Sequence, residues 1–251
     1  MSSLGCLYLL FIVLFLSSTA SELDNRIFGG DDVHPHEHPY LVKISVFFYQ
    51  SSVISSCSGS ILSNEWILSA AHCFPDNVTS LIITQEYMLR QRKIGFAFKN
   101  NIKKMNFKDG NFFFENLEKD LALVKTVFEI NFDSLTQPIT LPSHFVSLGL
   151  RGTIVGYGGS EAGTLAPRQG RVLISGCQSA ENSKVICTYG SHYANPWSGD
   201  SGGPLLGHGS LVGVTSSTVN GVHVYVDVFR NLDWILEVMD IQVKQASYIP
   251  I

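Results

Sequence analysis

The chain has 251 residues, 17 Lys+Arg against 21 Asp+Glu, and a formal net charge of −4. This mildly acidic balance lacks the electrostatic footprint of a nucleic-acid binder, and a hydrophobic content of 45% excludes intrinsic disorder. Charged residues make up only 15%, against about 25% in a typical soluble domain, and 22 glycines with 11% aromatics suit a turn-rich β protein.

A multi-pass membrane protein is excluded too, because there is one uninterrupted apolar run, at the N-terminus. Cys6 to Leu16 (CLYLLFIVLFL) are eleven residues, short of the roughly 20 that a helix needs to cross a bilayer. Small residues follow, ending Ser18-Thr19-Ala20. The pattern reads as a secretory signal peptide cut after Ala20, although its first residues carry no Lys or Arg. Cleavage removes Cys6 and leaves Cys57, Cys73, Cys177 and Cys187. Four cysteines in an exported chain read as two disulfides, with three pairings open. Zinc is the competing use, but no C-x2-C pair is present. The sequon Asn77-Val78-Thr79 fits the same export as a glycosylation site.

Past the signal, His34, His36 and His38 form an H-x-H-x-H run. Alternate strand positions share a face that a metal can use, but Pro35 and Pro39 make the segment a loop, and no metal is assigned. Short apolar runs then recur with turn residues between them: Leu41–Phe48, Ser60–Leu62, Trp66–Ala70, Leu81–Thr84, Leu121–Val127, Gly152–Tyr157, Arg171–Ile174, Leu211–Thr215 and Val222–Val228. Many short strands at this spacing predict an all-β sandwich or barrel. Arg90, Arg92, Lys93, Lys99, Lys103, Lys104 and Lys108 lie in one stretch with no acidic residue. It is either a patch for an anionic partner such as a sulfated glycan or, the preferred reading, a set of solvated loops. Only the end looks helical, with Leu232, Ile235, Leu236 and Met239 on one face of a helix over about 231–240. No repeat or linker divides residues 27–251.

Three segments carry candidate chemistry. In Ala70-Ala71-His72-Cys73 a histidine follows the strand Trp66–Ser69 beside a disulfide candidate, and such rigid placement is what a general base needs. In Asp120-Leu121-Ala122-Leu123-Val124 a carboxylate leads an apolar strand; buried there it needs partners, and an imidazole N–H is one. In Gly199-Asp200-Ser201-Gly202-Gly203-Pro204 glycines flank a serine, so a substrate carbonyl can come close to backbone N–H groups. The last segment also satisfies G-x-S-x-G, the nucleophile elbow of an α/β-hydrolase esterase. That reading fails, because Gly-Gly-Pro cannot open the helix the elbow requires and the acid and base precede the serine.

Taken in the order His72, Asp120, Ser201, these segments resemble the chymotrypsin/trypsin family of serine peptidases, over nearly all of residues 27–240. Arg26-Ile27-Phe28-Gly29-Gly30 resembles that family's activation site. Cys57-Ser58-Gly59-Ser60-Ile61-Leu62 with Trp66–Cys73 is similar to its first-barrel core. Gln137-Pro138-Ile139-Thr140-Leu141-Pro142 is similar to its inter-barrel crossing, and Gly156-Tyr157-Gly158 and Asp233-Trp234-Ile235 match two further landmarks.

The resemblance implies two packed six-stranded antiparallel β-barrels, over about 27–135 and 136–230, with a C-terminal α-helix. It implies a catalytic triad of His72, Asp120 and Ser201, an oxyanion hole from the N–H groups of Gly199 and Ser201, and disulfides Cys57–Cys73 and Cys177–Cys187. It implies a propeptide over 21–26, cut after Arg26 by an activating protease, so that the new α-amine of Ile27 pairs with Asp200. That amine should titrate above its free value of about 8; its stabilisation is present while it is protonated and is lost as pH rises, so activity falls in alkali. The implied protein is a secreted, extracellular endopeptidase, a monomer without cofactor. It acts on protein or peptide substrates, with protein inhibitors as further partners and no membrane attachment after signal removal.

The sequence departs from the family at the substrate pocket. Trypsins carry an aspartate six residues before the nucleophile, where this chain has Asn195. Ser216-Ser217-Thr218 replaces the usual Ser-Trp-Gly, and the following loop is short enough for His223 to approach. Arg or Lys at the cleavage site loses its counter-ion, and Thr218 favours small or medium apolar side chains. Two disulfides common in vertebrate members are absent, with Trp197 and Gly207 standing where two of the cysteines would be. The altered pocket leaves a rival reading, a non-catalytic binding or regulatory module on the same fold.

Overall fold

In a computed structural model, described here for residues 27, 30–52, 54–87, 90–108, 114–158, 166–177, 183–189 and 194–240, the regular structure of the chain is mostly antiparallel β. The proposed signal, the propeptide with Arg26, and Phe28–Gly29 lie outside the described residues. In chain order the strands are β1 (Asp31–Asp32), β2 (Leu41–Phe48), β3 (Ile54–Ile61), β4 (Trp66–Ser69), β5 (Val78–Tyr87), β6 (Arg90–Phe98), β7 (Ile102–Lys104), β8 (Ala122–Lys125), β9 (Arg151–Gly156), β10 (Arg168–Ser175), β11 (Val185–Tyr189), β12 (Pro204–Gly207), β13 (Ser210–Val219) and β14 (Val222–Asp227). Two short helices complete the set, α1 (Phe114–Leu117) and α2 (Leu232–Val238). No described helix is long and apolar enough to cross a membrane.

The first sheet runs β6-β5-β2-β3-β4-β8-β7. Its outer strands β6 and β7 are joined by a 3-10 turn at Lys99–Asn101 and do not pair with each other among the described residues, so the seven strands form a curled half-barrel. The second sheet closes on itself. Its order is β10-β11-β14-β13-β12-β9, and β9 pairs back onto β10, with β1 added at the edge of β10. The segment at 27–32, placed by sequence in the first barrel, therefore sits with the second: Asp31 pairs with Gln169, and Ile27 is buried among Ile154, Val172, Ala194 and Tyr225.

Alternation shapes the strands that keep one face toward solvent. In β2, Leu41, Val42, Ile44 and Val46 are buried while Lys43 and Ser45 are partly exposed. β4 is enclosed on both faces and is apolar but for Ser69. β3 breaks the pattern, because its buried half is Cys57-Ser58-Gly59-Ser60-Ile61. It packs beneath the nucleophile segment, where a Cβ on Gly59 would come within 2.9 Å of Ile44. The stretch read as solvated loops, 90–108, is instead β6, the turn and β7 as far as Lys104. Its charges suit an edge that must not pair with other chains: Arg92 pairs with Asp133 at 2.5 Å, Lys104 donates to the Phe74 carbonyl at 2.8 Å, and Lys93 lies over the Phe96 ring.

Gln137–Pro142 ties the sheets together. Ile139 N–H donates to Ile61 of β3, and the Thr140 carbonyl accepts from Leu211 of β13. The apolar core is continuous across this seam, with Val214 and Val226 in the same cluster as Ile44 and Ile67. The α2 helix closes it through Ile235, and only that residue of the expected apolar face is fully buried. Both disulfides form, Cys57–Cys73 and Cys177–Cys187.

Candidate active site

His72 leaves β4 on a single 3-10 turn, Ala71–Cys73, and the Cys57–Cys73 disulfide pins that turn to β3. Asp120 stands just before β8 and is wholly buried. Because β8 pairs with β4, Ser69 opposite Ala122, the two residues meet at the same end of the sheet. The His72 backbone N–H donates to Asp120 Oδ1 at 2.8 Å, and ring Nδ1–H donates to Oδ2 at 2.7 Å. A carboxylate only accepts, so the neutral ring carries its proton on Nδ1 and its lone pair on Nε2. A third donor completes the carboxylate: the Ser216 hydroxyl reaches Asp120 Oδ2 at 2.6 Å from β13.

Ser201 sits on a loop folded around Asp200. That carboxylate is buried and accepts from the N–H groups of Trp197 at 2.8 Å and Gly158 at 2.7 Å. A Cβ on Gly158 would lie 2.7 Å from both carboxylate oxygens, so that position excludes any side chain. Gly202, with φ +79°, donates to the Thr215 carbonyl at 2.8 Å, and Gly203 to that of Asp200. No backbone hydrogen bond among the described residues uses the N–H of Gly199 or Ser201. The Ser201 carbonyl accepts from Ser58 N–H at 2.8 Å and lies 3.8 Å from Cys73 Sγ, beside His72.

A cavity of about 370 Å³ opens beside Ser201, lined by Pro196, Trp197, Ser198, Ser216 and Thr218 among others. Of the pocket candidates, Ser216 and Thr218 line it. Asn195 and His223 are instead joined to Thr218 in a chain. His223 Nε2–H donates to Asn195 Oδ1 at 2.7 Å, and the Thr218 hydroxyl donates to Nδ1 at 2.8 Å. Thr218 and His223 are cross-strand partners of β13 and β14, and burial pushes the His223 pKa down. A larger cavity, about 630 Å³, lies away from these groups at His36, Gln85, Arg90 and Arg92.

The remaining candidates are dispersed. His36 bonds the Ser134 carbonyl, and His38 bonds Tyr40 and Gln169. Among the described residues the one group of metal-ligand types is Cys57, His72 and Cys73, whose two sulfurs are spent in a disulfide. Asn77 is exposed where β5 begins. Two contributors escaped the sequence reading: the support of Asp120 by Ser216, and Ser58, whose hydroxyl and N–H both reach the nucleophile loop.

Comparison with known proteins agrees with this geometry. The chain is 29% identical over 261 residues to the venom plasminogen activator Haly-PA of Gloydius brevicauda, covering 92% of this chain and 93% of that protein. It is 27% identical to the beta-fibrinogenase mucrofibrase-4 of Protobothrops mucrosquamatus, covering 90% and 91%. Its fold matches neuropsin, a serine protease expressed in mouse brain, with a TM-score of 0.69 at 22% identity, covering 84% of this chain and 99% of neuropsin. The family model described as Trypsin matches residues 27–235, and the chain belongs to that family.

Proposed function

We propose that this protein is a secreted serine endopeptidase, made as a zymogen and activated by cleavage after Arg26. The observation that carries the reading is the threefold-bonded Asp120 beneath His72, joined through Ser216 to the wall of the pocket that Ser201 also lines. A fully buried carboxylate is costly unless donors compensate it, and this arrangement orients an imidazole as a base. Ser201 attacks the peptide carbonyl. His72 Nε2 takes its proton and returns it to the leaving amine, while Asp120 stabilises the imidazolium. The N–H groups of Gly199 and Ser201 receive the oxyanion. Burial of the Ile27 side chain in the second barrel supports the activation step, in which the freed amine pairs with Asp200.

Substrate adds as a strand along Ser216–Thr218. β12 pairs with β13 only as far as Val214, and beyond a bulge at Thr215–Ser217 that edge carries no strand among the described residues. Among the described residues that line the pocket beside Ser201 there is no carboxylate, which supports a preference for small or medium apolar side chains over Arg and Lys. Protein substrates, an activating protease, protein inhibitors and an anionic glycan on β6 and β7 are the partner classes this reading carries, for a monomer acting outside the cell. Asn77, exposed, is its glycosylation site.

The test profiles the cleaved protein on a peptide library and with a fluorophosphonate label, with Ser201→Ala as blank. Cleavage and labelling that vanish in Ser201→Ala support the peptidase. A folded protein with Ile27 at its N-terminus that does neither is the non-catalytic module instead.

A further inference from the structure

The Cys57-Ser58 step of β3 touches both halves of the site. Cys57 is bonded to Cys73, the neighbour of His72. Ser58 is fully buried, and each of its polar groups is engaged. Its N–H donates to the Ser201 carbonyl and its own carbonyl accepts from the Ser69 hydroxyl, both at 2.8 Å. Its hydroxyl accepts from Tyr157 N–H at 2.9 Å and donates to the Gly199 carbonyl at 2.9 Å. The roles are fixed, because an N–H only donates and a carbonyl only accepts.

We propose that Ser58 is a positioning residue whose hydroxyl holds the Gly199 peptide, and with it the oxyanion donors, in register with the base on the first barrel. This rests on the peptidase reading above. Gly199 has φ +97°, and its N–H and the carbonyl held by Ser58 flank one Cα. Glycine offers no side chain to restrict rotation there, so hydrogen bonds set the orientation of both flanking peptides. Tethers of the loop from Asp200 to Trp197 and Gly158 and from Gly202 to Thr215 run within the second-barrel half. Ser58 supplies the tie to the half that carries His72 and Asp120. Oxyanion donors act through preorganisation, which is lost if they must reorient during the reaction.

The experiment uses the secreted chain after cleavage at Arg26, as wild type, as Ser58→Ala and as Ile83→Val. Ile83 is buried in the first-barrel core, so its variant lowers Tm without touching the loop. Peptide kinetics are read well below every Tm, together with the Ki of a peptide aldehyde whose hemiacetal oxygen takes the oxyanion position. Ser58→Ala is expected to lower kcat by about tenfold to a hundredfold with KM within about twofold, and to weaken the aldehyde by the same factor. Ile83→Val leaves both unchanged. Wild-type kcat and aldehyde affinity in Ser58→Ala would overturn the proposal and leave the peptidase reading standing. A wild type that neither cleaves nor takes a fluorophosphonate overturns both. If Ser58→Ala fails to fold, Ser58→Thr is compared with Ser58→Val, which differ in the hydroxyl: a higher kcat for Thr supports the role, and equal kcat defeats it.

Discussion

Asp120 has no contact with water and accepts three hydrogen bonds, two of them from His72. Replacing it by asparagine keeps the volume but puts an amide where two acceptor oxygens stood. The His72 proton then moves to Nε2, and the ring can no longer accept from Ser201. The expected loss in kcat for Asp120→Asn is about 10⁴-fold, with the folded spectrum retained; a loss under about tenfold would remove His72 from the role of base. Ser216→Ala removes one donor and leaves the pair. A hydrogen bond to a charged group contributes about 1.5–3 kcal/mol, so urea unfolding should show a loss of that order and kcat should fall far less than in Asp120→Asn. An unchanged midpoint would mean that the Ser216 hydroxyl does not support the carboxylate. The three residues proposed for the chemistry stand out in the sequence because each sits in a distinctive local segment. The role of Ser216 was not, because its hydroxyl points to a residue 96 positions away. Ser58 was hidden likewise: Cys-Ser-Gly-Ser reads as a landmark of the barrel core, and its hydroxyl meets Gly199 across 141 positions.

The two disulfides are similar in loop length and differ in place. Separations of 16 and 10 residues each correspond to about 3 kcal/mol in the chain-entropy model. Cys57–Cys73 joins the β3 segment under the nucleophile loop to the turn that carries His72, whereas Cys177–Cys187 joins the segment just after β10 to β11. Replacing either pair by alanines should lower Tm similarly. Only the first replacement should also lower kcat at temperatures where both proteins are folded; equal kcat values would show that the disulfide fixes the fold and not the base. At this scale the sequence revealed strands whose side chains alternate or are uniformly apolar, β2, β4, β5, β8, β9, β10, β13 and β14. It missed β6 and β7, whose edge position lets them carry Arg and Lys, and β1, β11 and β12. It caught only the last residues of β3, because that strand buries serine and glycine where the pattern calls for valine and leucine.

The two sheets share one core, so titration in either half acts on the stability of the whole. His38 and His223 are both buried, one bridging Tyr40 and Gln169 and the other Thr218 and Asn195. Burial depresses the pKa of each below the usual histidine value of 6.5. The folded state therefore resists a proton that the unfolded chain accepts. Above pH about 6.5 neither state binds it and there is no effect. As pH falls below that value the unfolded chain binds more protons, and stability declines until the folded pKa values are passed. Asp227 runs the other way: burial raises its pKa, so falling pH favours its folded, protonated form, and the histidine slope is best read above the ordinary carboxylate range. Glutamine can keep one donor and one acceptor at each histidine site. The double variant His38→Gln/His223→Gln should thus lose less of its urea midpoint than wild type between pH 7.5 and that limit. Equal losses would mean that the acid sensitivity of the fold is carried by groups other than these two histidines.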